Sequence, residues 1–394
     1  MYKIDWSGKS YNYSSKDFQI LLKKINKSES FTQATNLKVF EKDLSNYLKK
    51  KNIFAVSSAA SALEIISLLL NIKKNDEVII PAHTYCATAI PFAKRGAKII
   101  WADIDIKTKV IDLEDVKKKI TKRTRAIIVV HLYGFACDVS KFLNLGKKIK
   151  IIEDCAQAFG ANLRNKKVGT FGDYSCFSFH SQKNLTTLGE GGAIYVKNKL
   201  ESKKVLGLRH NGHAPFKKQK KYWKPAMGNV DEDLKNYWPC KFTLSEIQCA
   251  AGSIGLKKID FMNSLRIKRA KKFIVSLSKV KELEFTSFFN SKRHVYHLLT
   301  AYCVKNKYFT RDELINHLYN KYNIKCIVQY YPLYKYDLFK KKGFGKAKCP
   351  KTELFFSNMI SFPFHIHMSA NEFNYMINSV KKTIQYFKKK LTKN

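Results

Sequence analysis

Short apolar runs rich in β-branched residues recur from Phe54 to about residue 200: EVIIPA, AKIIWADI, AIIVVHLYG, IKIIEDCAQ, DYSCFSF and GAIYV. These runs are nearly continuous rather than alternating, and helical patterns separate them. Strands of that kind are buried on both faces, which predicts an α/β fold with a mostly parallel sheet between helices. In such sheets ligands gather at the carboxyl ends of strands. Unusual polar residues sit there: His83 to Thr88 after EVII, His131 after AIIVV, and Glu153 to Gln157 after IKII. The pattern predicts a site assembled from several strand ends.

The alternation stops at residues 207 to 243, where Gly, Pro, aromatics and charge mix without a period. That stretch reads as a long ordered excursion or a contact segment. The next segment, SEIQCAAGSIGLKKIDFMNSLRIKRAKKFIVSL, reads as long helix, and from about residue 284 strands and amphipathic helices return. The expected organisation is a large domain over 1–255 that carries the excursion, and a smaller C-terminal α+β domain over 256–394. The longest apolar run, Ile65 to Leu70, is a piece of buried helix and falls far short of the roughly 20 residues that cross a bilayer. The N-terminal stretch lacks an apolar signal core. Nine cysteines, an odd number with no CxxC pair, argue against a disulfide framework and a thiolate metal site. A cytoplasmic protein without a metal is expected.

A net charge of +42 suggests nucleic acid at first sight, but only nine of the 73 basic residues are Arg. Base-edge and phosphate-fork recognition favours Arg. The lysines are also spread along the whole chain, and no nucleic-acid reading module accompanies them. The field favours an anionic small substrate instead.

Three segments carry candidate chemistry. In FSFHSQKNLTTLGEGG a strand-like stretch ends in a turn at Lys183, and Gly189, Gly191 and Gly192 then permit close backbone approach. A catalytic lysine needs its amine beside a carbonyl and unprotonated for part of the cycle. In IIEDCAQAFGA a buried strand delivers Glu153 and Asp154, which alternation points to opposite faces. A buried carboxylate needs a partner, and a protonated pyridine nitrogen is one. In AVSSAASALEIISLLL a strand runs through Ser57-Ser58 into a helix, whose free N–H groups form an anion cradle. Each has an ordinary reading alone: a solvated loop lysine, a core carboxylate on amides, an N-cap serine. In this order, with the aromatic of PAHTYCAT between, they outline a pyridoxal phosphate site.

The chain resembles the DegT/DnrJ/StrS family of sugar aminotransferases, fold type I enzymes that use pyridoxal 5′-phosphate. The resemblance runs from FTQATNLKVFEKDLSNYL near residue 31 to HMSANEFNYMINSV near 380, through NDEVIIPAHTYCAT, GAKIIWADID, HLYG, EDCAQAFGA, GTFGDYSCFSFHSQKNLTTLGEGG, LRHNGH, QYYPLY and SFPFHIHMS. It implies that Lys183 links to the cofactor and shuttles the proton, while Asp154 pairs with the ring nitrogen. It also implies that Gln157 sits near the ring oxygen or phosphate, that Tyr85 stacks on the ring, and that Ser178 and the Ala59-Ala60 amides hold the phosphate. Relatives with histidine in place of the lysine dehydrate sugars, so Lys183 favours amino transfer. The family usually has Gly-Thr where Ala59-Ala60 stand, so Ser58 or Ser61 is expected to replace the lost hydroxyl. Where relatives place an Asn that reaches the neighbouring subunit's cofactor phosphate, this chain has Lys241. The implied reaction moves an amino group from L-glutamate to a keto group of a nucleotide-linked sugar, for amino-sugar and surface-glycan synthesis. The implied assembly is a homodimer, with each site completed by the partner's 207–243 segment. A cyclitol aminotransferase, a sugar dehydratase and a non-catalytic sensor or accessory subunit are the alternatives. His131, Tyr133 and His180 fall near the expected site, Glu190 orients or caps the lysine loop, and His365 and His367 lack a third metal ligand.

Overall fold

In the computed structural model, residues 2–6, 13–214, 228–232, 237–286 and 292–391 are described. The apolar runs form β1 (Ile53–Val56), β2 (Glu77–Pro81), β3 (Lys98–Ala102), β4 (Thr124–Val130), β5 (Lys150–Asp154), β6 (Tyr174–Ser178) and β7 (Gly192–Val196). They make one sheet in the order β1-β7-β6-β5-β4-β2-β3. β2 to β6 pair in parallel, and β7 runs antiparallel to both β6 and β1. Every residue of β2, β6 and β7 is buried, as strands covered on both faces require. The carboxyl ends of β1, β2, β4, β5 and β6 therefore lie along one edge. Because β7 is reversed, its first residue, Gly192, joins them.

A second core gathers Ala270, Phe273, Leu314, Leu318, Phe362 and Met376 around an antiparallel sheet of β8 (Leu283–Phe285), β9 (Leu299–Cys303) and β10 (Met359–Phe362). The N-terminal stretch belongs to this core. Ile4 is buried in it and bridges Ile324, with backbone bonds to Asn323 and Lys325. That anchorage leads the chain to Trp6, beside the edge of the large sheet.

The long helix expected after residue 243 is two, Glu246–Leu256 and Ile259–Ser276, separated at Lys257-Lys258. Helical periodicity continues on both sides of the break, so pattern alone cannot show it. In the second helix Ile259, Asn263, Arg266, Ala270 and Phe273 form the buried stripe, alternating steps of four and three residues. Two polar residues thus lie on an apolar face. Of the 207–243 segment, His213–Ala214 pairs with Asn229–Val230, while 215–227 and 233–236 lie outside the described residues.

Candidate active site

The strand ends surround a cavity of about 810 Å³ lined by, among others, Ser57, Ala59, Ala60, Tyr85, Asp154, Gln157, Ser178 and Lys183. Seven expected cofactor residues (Ala59, Ala60, Tyr85, Asp154, Gln157, Ser178 and Lys183) are thereby brought together. The eighth, Lys241, is not among the lining residues; it is exposed, and its backbone bridges His210.

β5 ends in the two carboxylates, and alternation separates them as expected. Glu153 turns inward. Its oxygens accept from the amides of Gly169, Phe171 and Gly172, each at 2.7 Å, and lie 3.0 Å from His131 Nε2. The His131 Nδ1 accepts from the Cys137 amide at 3.0 Å, so Nε2 carries the hydrogen and donates to Glu153. Both side chains are fully buried, and His131, which falls near the expected site in the sequence, has a structural role: with Glu153 it fixes the 169–172 turn behind the sheet. Asp154 faces the cavity. One oxygen accepts from the Thr88 hydroxyl at 2.8 Å and the other from the Ala156 amide at 3.1 Å.

Lys183 follows β6 on a loop tied by Lys183 N–H to the His180 carbonyl at 2.9 Å. Its neighbour Asn184 donates to Asn263 Oδ1 at 2.8 Å, pinning the loop to the buried stripe of the second long helix. Among the described residues the Lys183 amine has no hydrogen-bond partner. Burial pushes its pKa below the ordinary lysine range, against the upward pull of Asp154 and Glu190. Glu190 also lies 3.5 Å from His180 Nε2, and its carbonyl accepts from Thr187 and Gln248, so it orients the loop.

At the end of β1, Ser58 caps helix Ala59–Leu69 by accepting from the Ser61 amide at 3.0 Å. Ser61 Oγ is 2.7 Å from Ser57 Oγ and 2.8 Å from Ser58 Oγ. The amides of Ala59 and Ala60 have no acceptor among the described residues. The cradle is shaped by Gly192. A Cβ there would lie 2.4 Å from the Ser58 carbonyl carbon and 2.7 Å from the Ala59 nitrogen. Ser57 and Ser58 line the cavity beside this free helix start, whereas Ser61 does not and its hydroxyl is paired with theirs.

Gln157 is held at both ends. Its oxygen accepts from the Tyr133 amide, and its nitrogen donates to Tyr330 Oη, each at 2.8 Å. Tyr133 lies behind Tyr330, their rings stacked at 6.3 Å, and donates to the Gln329 carbonyl. It shapes the wall from behind. His83 Nε2 lies 2.8 Å from Tyr133 Oη, and burial lowers the His83 pKa to about 3, so this imidazole is neutral. Tyr85 stands more than half exposed at the rim, edge-on to Tyr330. Sequence reasoning placed Thr88 at a strand end without giving it a role, and it missed Trp6, Gln329 and Tyr330. Thr88 lies inside the PAHTYCAT segment and Tyr330 inside QYYPLY, whereas nothing local distinguishes Trp6.

A strand-end carboxylate, a half-buried lysine whose amine has no partner among the described residues, and a free helix start, on this sheet order, define the large domain of a fold type I aminotransferase, the class that works with pyridoxal 5′-phosphate. The chain belongs to the DegT/DnrJ/EryC1/StrS aminotransferase family, whose pattern matches residues 12–381. It is 33% identical over 313 residues to the GDP-perosamine synthase of Escherichia coli O157:H7, covering 75% of this chain and 80% of that one. It is 30% identical over 369 residues to the dTDP-3-amino-3,6-dideoxy-alpha-D-galactopyranose transaminase of Aneurinibacillus thermoaerophilus, covering 93% and 95%. Among solved structures it resembles Helicobacter pylori PseC, an aminotransferase involved in the biosynthesis of pseudoaminic acid. The TM-score is 0.87, with 26% identity over 98% of this chain and 100% of that one. Among the described residues no helix is long and apolar enough to cross a membrane.

Proposed function

We propose that this protein transfers an amino group from L-glutamate to a keto group of a nucleotide-linked sugar, using pyridoxal 5′-phosphate, in amino-sugar synthesis. The observation that carries this reading is the convergence of Asp154, Lys183 and the open helix start at Ala59 on one cavity. The residues fit the cofactor. Ala59 and Ala60 amides with Ser57, Ser58 and Ser178 hydroxyls would take its phosphate, and Asp154 would hold a proton on its ring nitrogen. Thr88 and the Ala156 amide keep Asp154 oriented for that task. When bound, the cofactor supplies an electron sink for the carbon that bears the transferred amine.

Lys183 then has a defined task. Its lowered pKa raises the share of neutral amine at physiological pH, so it can take a proton from the donor carbon and return one later. The wall formed by Tyr330, Tyr133 and Gln157 holds its shape through the bonds given above and keeps water from that side. A nucleoside diphosphate suits the basic field of a chain with net charge +42. We further propose that the protein is a homodimer, the exposed Lys241 reaching the partner's cofactor phosphate.

The test is glutamate-dependent amination of a panel of nucleotide keto-sugars by the cofactor-loaded protein. The expected result is 2-oxoglutarate formed in step with an aminated nucleotide sugar, and lost in Lys183→Ala. A protein that takes up the cofactor yet aminates no sugar of the panel overturns the substrate assignment.

A further inference from the structure

A smaller cavity of about 80 Å³ adjoins the main one on the side of the second core. The two share Trp6, Gln182, Lys183, Gln329 and Tyr330. What distinguishes the smaller cavity is Arg266, flanked by His297, Phe364 and His365.

Arg266 is buried, with 5% of its surface exposed. Among the described residues one of its five N–H donors is used, on the Tyr296 carbonyl at 3.1 Å, and its guanidinium carbon lies 5.5 Å from the centre of the Phe364 ring. Among the described residues no carboxylate lies within ion-pair distance of it. Burial lowers its pKa to about 10, which still leaves it charged at neutral pH. A buried cation without a counter-ion is costly, and a fork of unused donors facing a cavity suits a planar anion.

The surroundings restrict which anion. His297 Nδ1 is 3.3 Å from the Asn184 amide oxygen, so Nδ1 carries the hydrogen, and burial keeps this imidazole neutral. The buried His365 Nδ1 has no partner among the described residues. Among the described residues no acidic side chain lines the space. It is also too small for a nucleoside diphosphate, yet it is continuous with Lys183. A ligand that puts an anion here and a reacting amine-bearing carbon beside Lys183 has the two groups close together. An α-amino acid has them on adjacent carbons.

We propose that Arg266 is the specificity residue for the amino donor, binding its carboxylate in the small cavity while the acceptor sugar uses the large one. This rests on the aminotransferase reading, though not on which sugar is aminated. The same helix therefore serves the site twice: Asn263 fixes the lysine loop through Asn184, and Arg266, three residues on, receives the donor.

The experiment is calorimetric titration of the cofactor-loaded protein with glutarate, an unreactive dicarboxylate, and separately with nucleoside diphosphates. The proposal expects glutarate to bind the natural protein, Arg266→Gln to weaken it by about 30-fold or more, and Arg266→Lys by about tenfold. Nucleoside diphosphate affinity stays the same in both variants. Cofactor absorbance and a cooperative melt establish that each variant is folded; if Arg266→Gln does not fold, Arg266→Lys decides alone. Three results overturn the proposal: no glutarate binding to the natural protein, unchanged glutarate binding in a folded variant, or a loss confined to the nucleoside diphosphate. Because no turnover is read, a wrong sugar assignment leaves this test intact.

Discussion

Lys183 lies in the cavity, its amine without a partner among the described residues and its pKa lowered by burial. A lysine whose folded pKa falls below its unfolded value destabilises the fold. The cost is complete below the folded pKa and disappears above the unfolded pKa, where both states are neutral. In the cofactor-free protein, Lys183→Met should therefore raise the melting temperature at pH 7, and the gain should shrink as pH approaches the ordinary lysine range near 10.5. Activity should fall by on the order of 10³-fold or more in the same variant. Melting curves across that pH range check the first statement; a gain that grows with pH would contradict it. Stability sacrificed at a reacting group is a common feature of active sites. Lys183 and Asp154 were legible because their neighbours along the chain announce a strand end and a glycine-relieved turn. Arg266 was not, being one more basic residue in a basic helix. The signal lay in its spacing, since steps of four and three from Ile259 put it on the buried stripe with Ala270 and Phe273.

At the scale of elements, the strands of the large sheet and the helix after Ser58 were readable because burial on both faces leaves an unbroken apolar run. The break at Lys257-Lys258 and the contribution of Trp6 were not. The first leaves periodicity intact, and the second depends on a pairing between Ile4 and Ile324 that no local pattern encodes. The meeting of β7 with the helix start is likewise long-range. A Cβ at residue 192 would meet three backbone atoms: the Ser58 carbonyl carbon at 2.4 Å, and the Ala59 nitrogen and Phe177 oxygen at 2.7 Å. Backbone on two sides cannot yield as a flexible side chain does, so the helix start must move. Gly192→Ala should cost about 1–3 kcal/mol of stability. Because the displaced amides are the ones free to take phosphate, cofactor affinity should drop with it, by about tenfold or more. Chemical denaturation and cofactor titration measure the two effects. A variant that loses stability but retains full cofactor affinity would show that the cradle lies elsewhere.

At the scale of the whole molecule, the position of Lys241 determines what an assembly must supply. It is exposed and absent from its own cavity's lining, and three residues away Trp238 is 88% exposed, a large apolar surface for a lone subunit. If each site combines one subunit's Lys183 with the partner's Lys241, the two lysines belong to different polypeptides. Lys183→Ala should then be inactive in its homodimer, and Lys241→Ala should bind cofactor more weakly. A mixed dimer of the two variants has one site lacking both lysines and one site lacking neither. Unfolding and refolding an equal mixture should therefore restore activity, approaching about one quarter of the natural value when subunits associate at random, since half the dimers then carry one intact site of two. Activity in the refolded mixture no greater than the sum of the separately refolded variants would place both lysines on the same polypeptide's site, or remove Lys241 from the site altogether. Recovery, in contrast, requires a dimer, requires the site to span it, and identifies Lys241 as the residue that crosses.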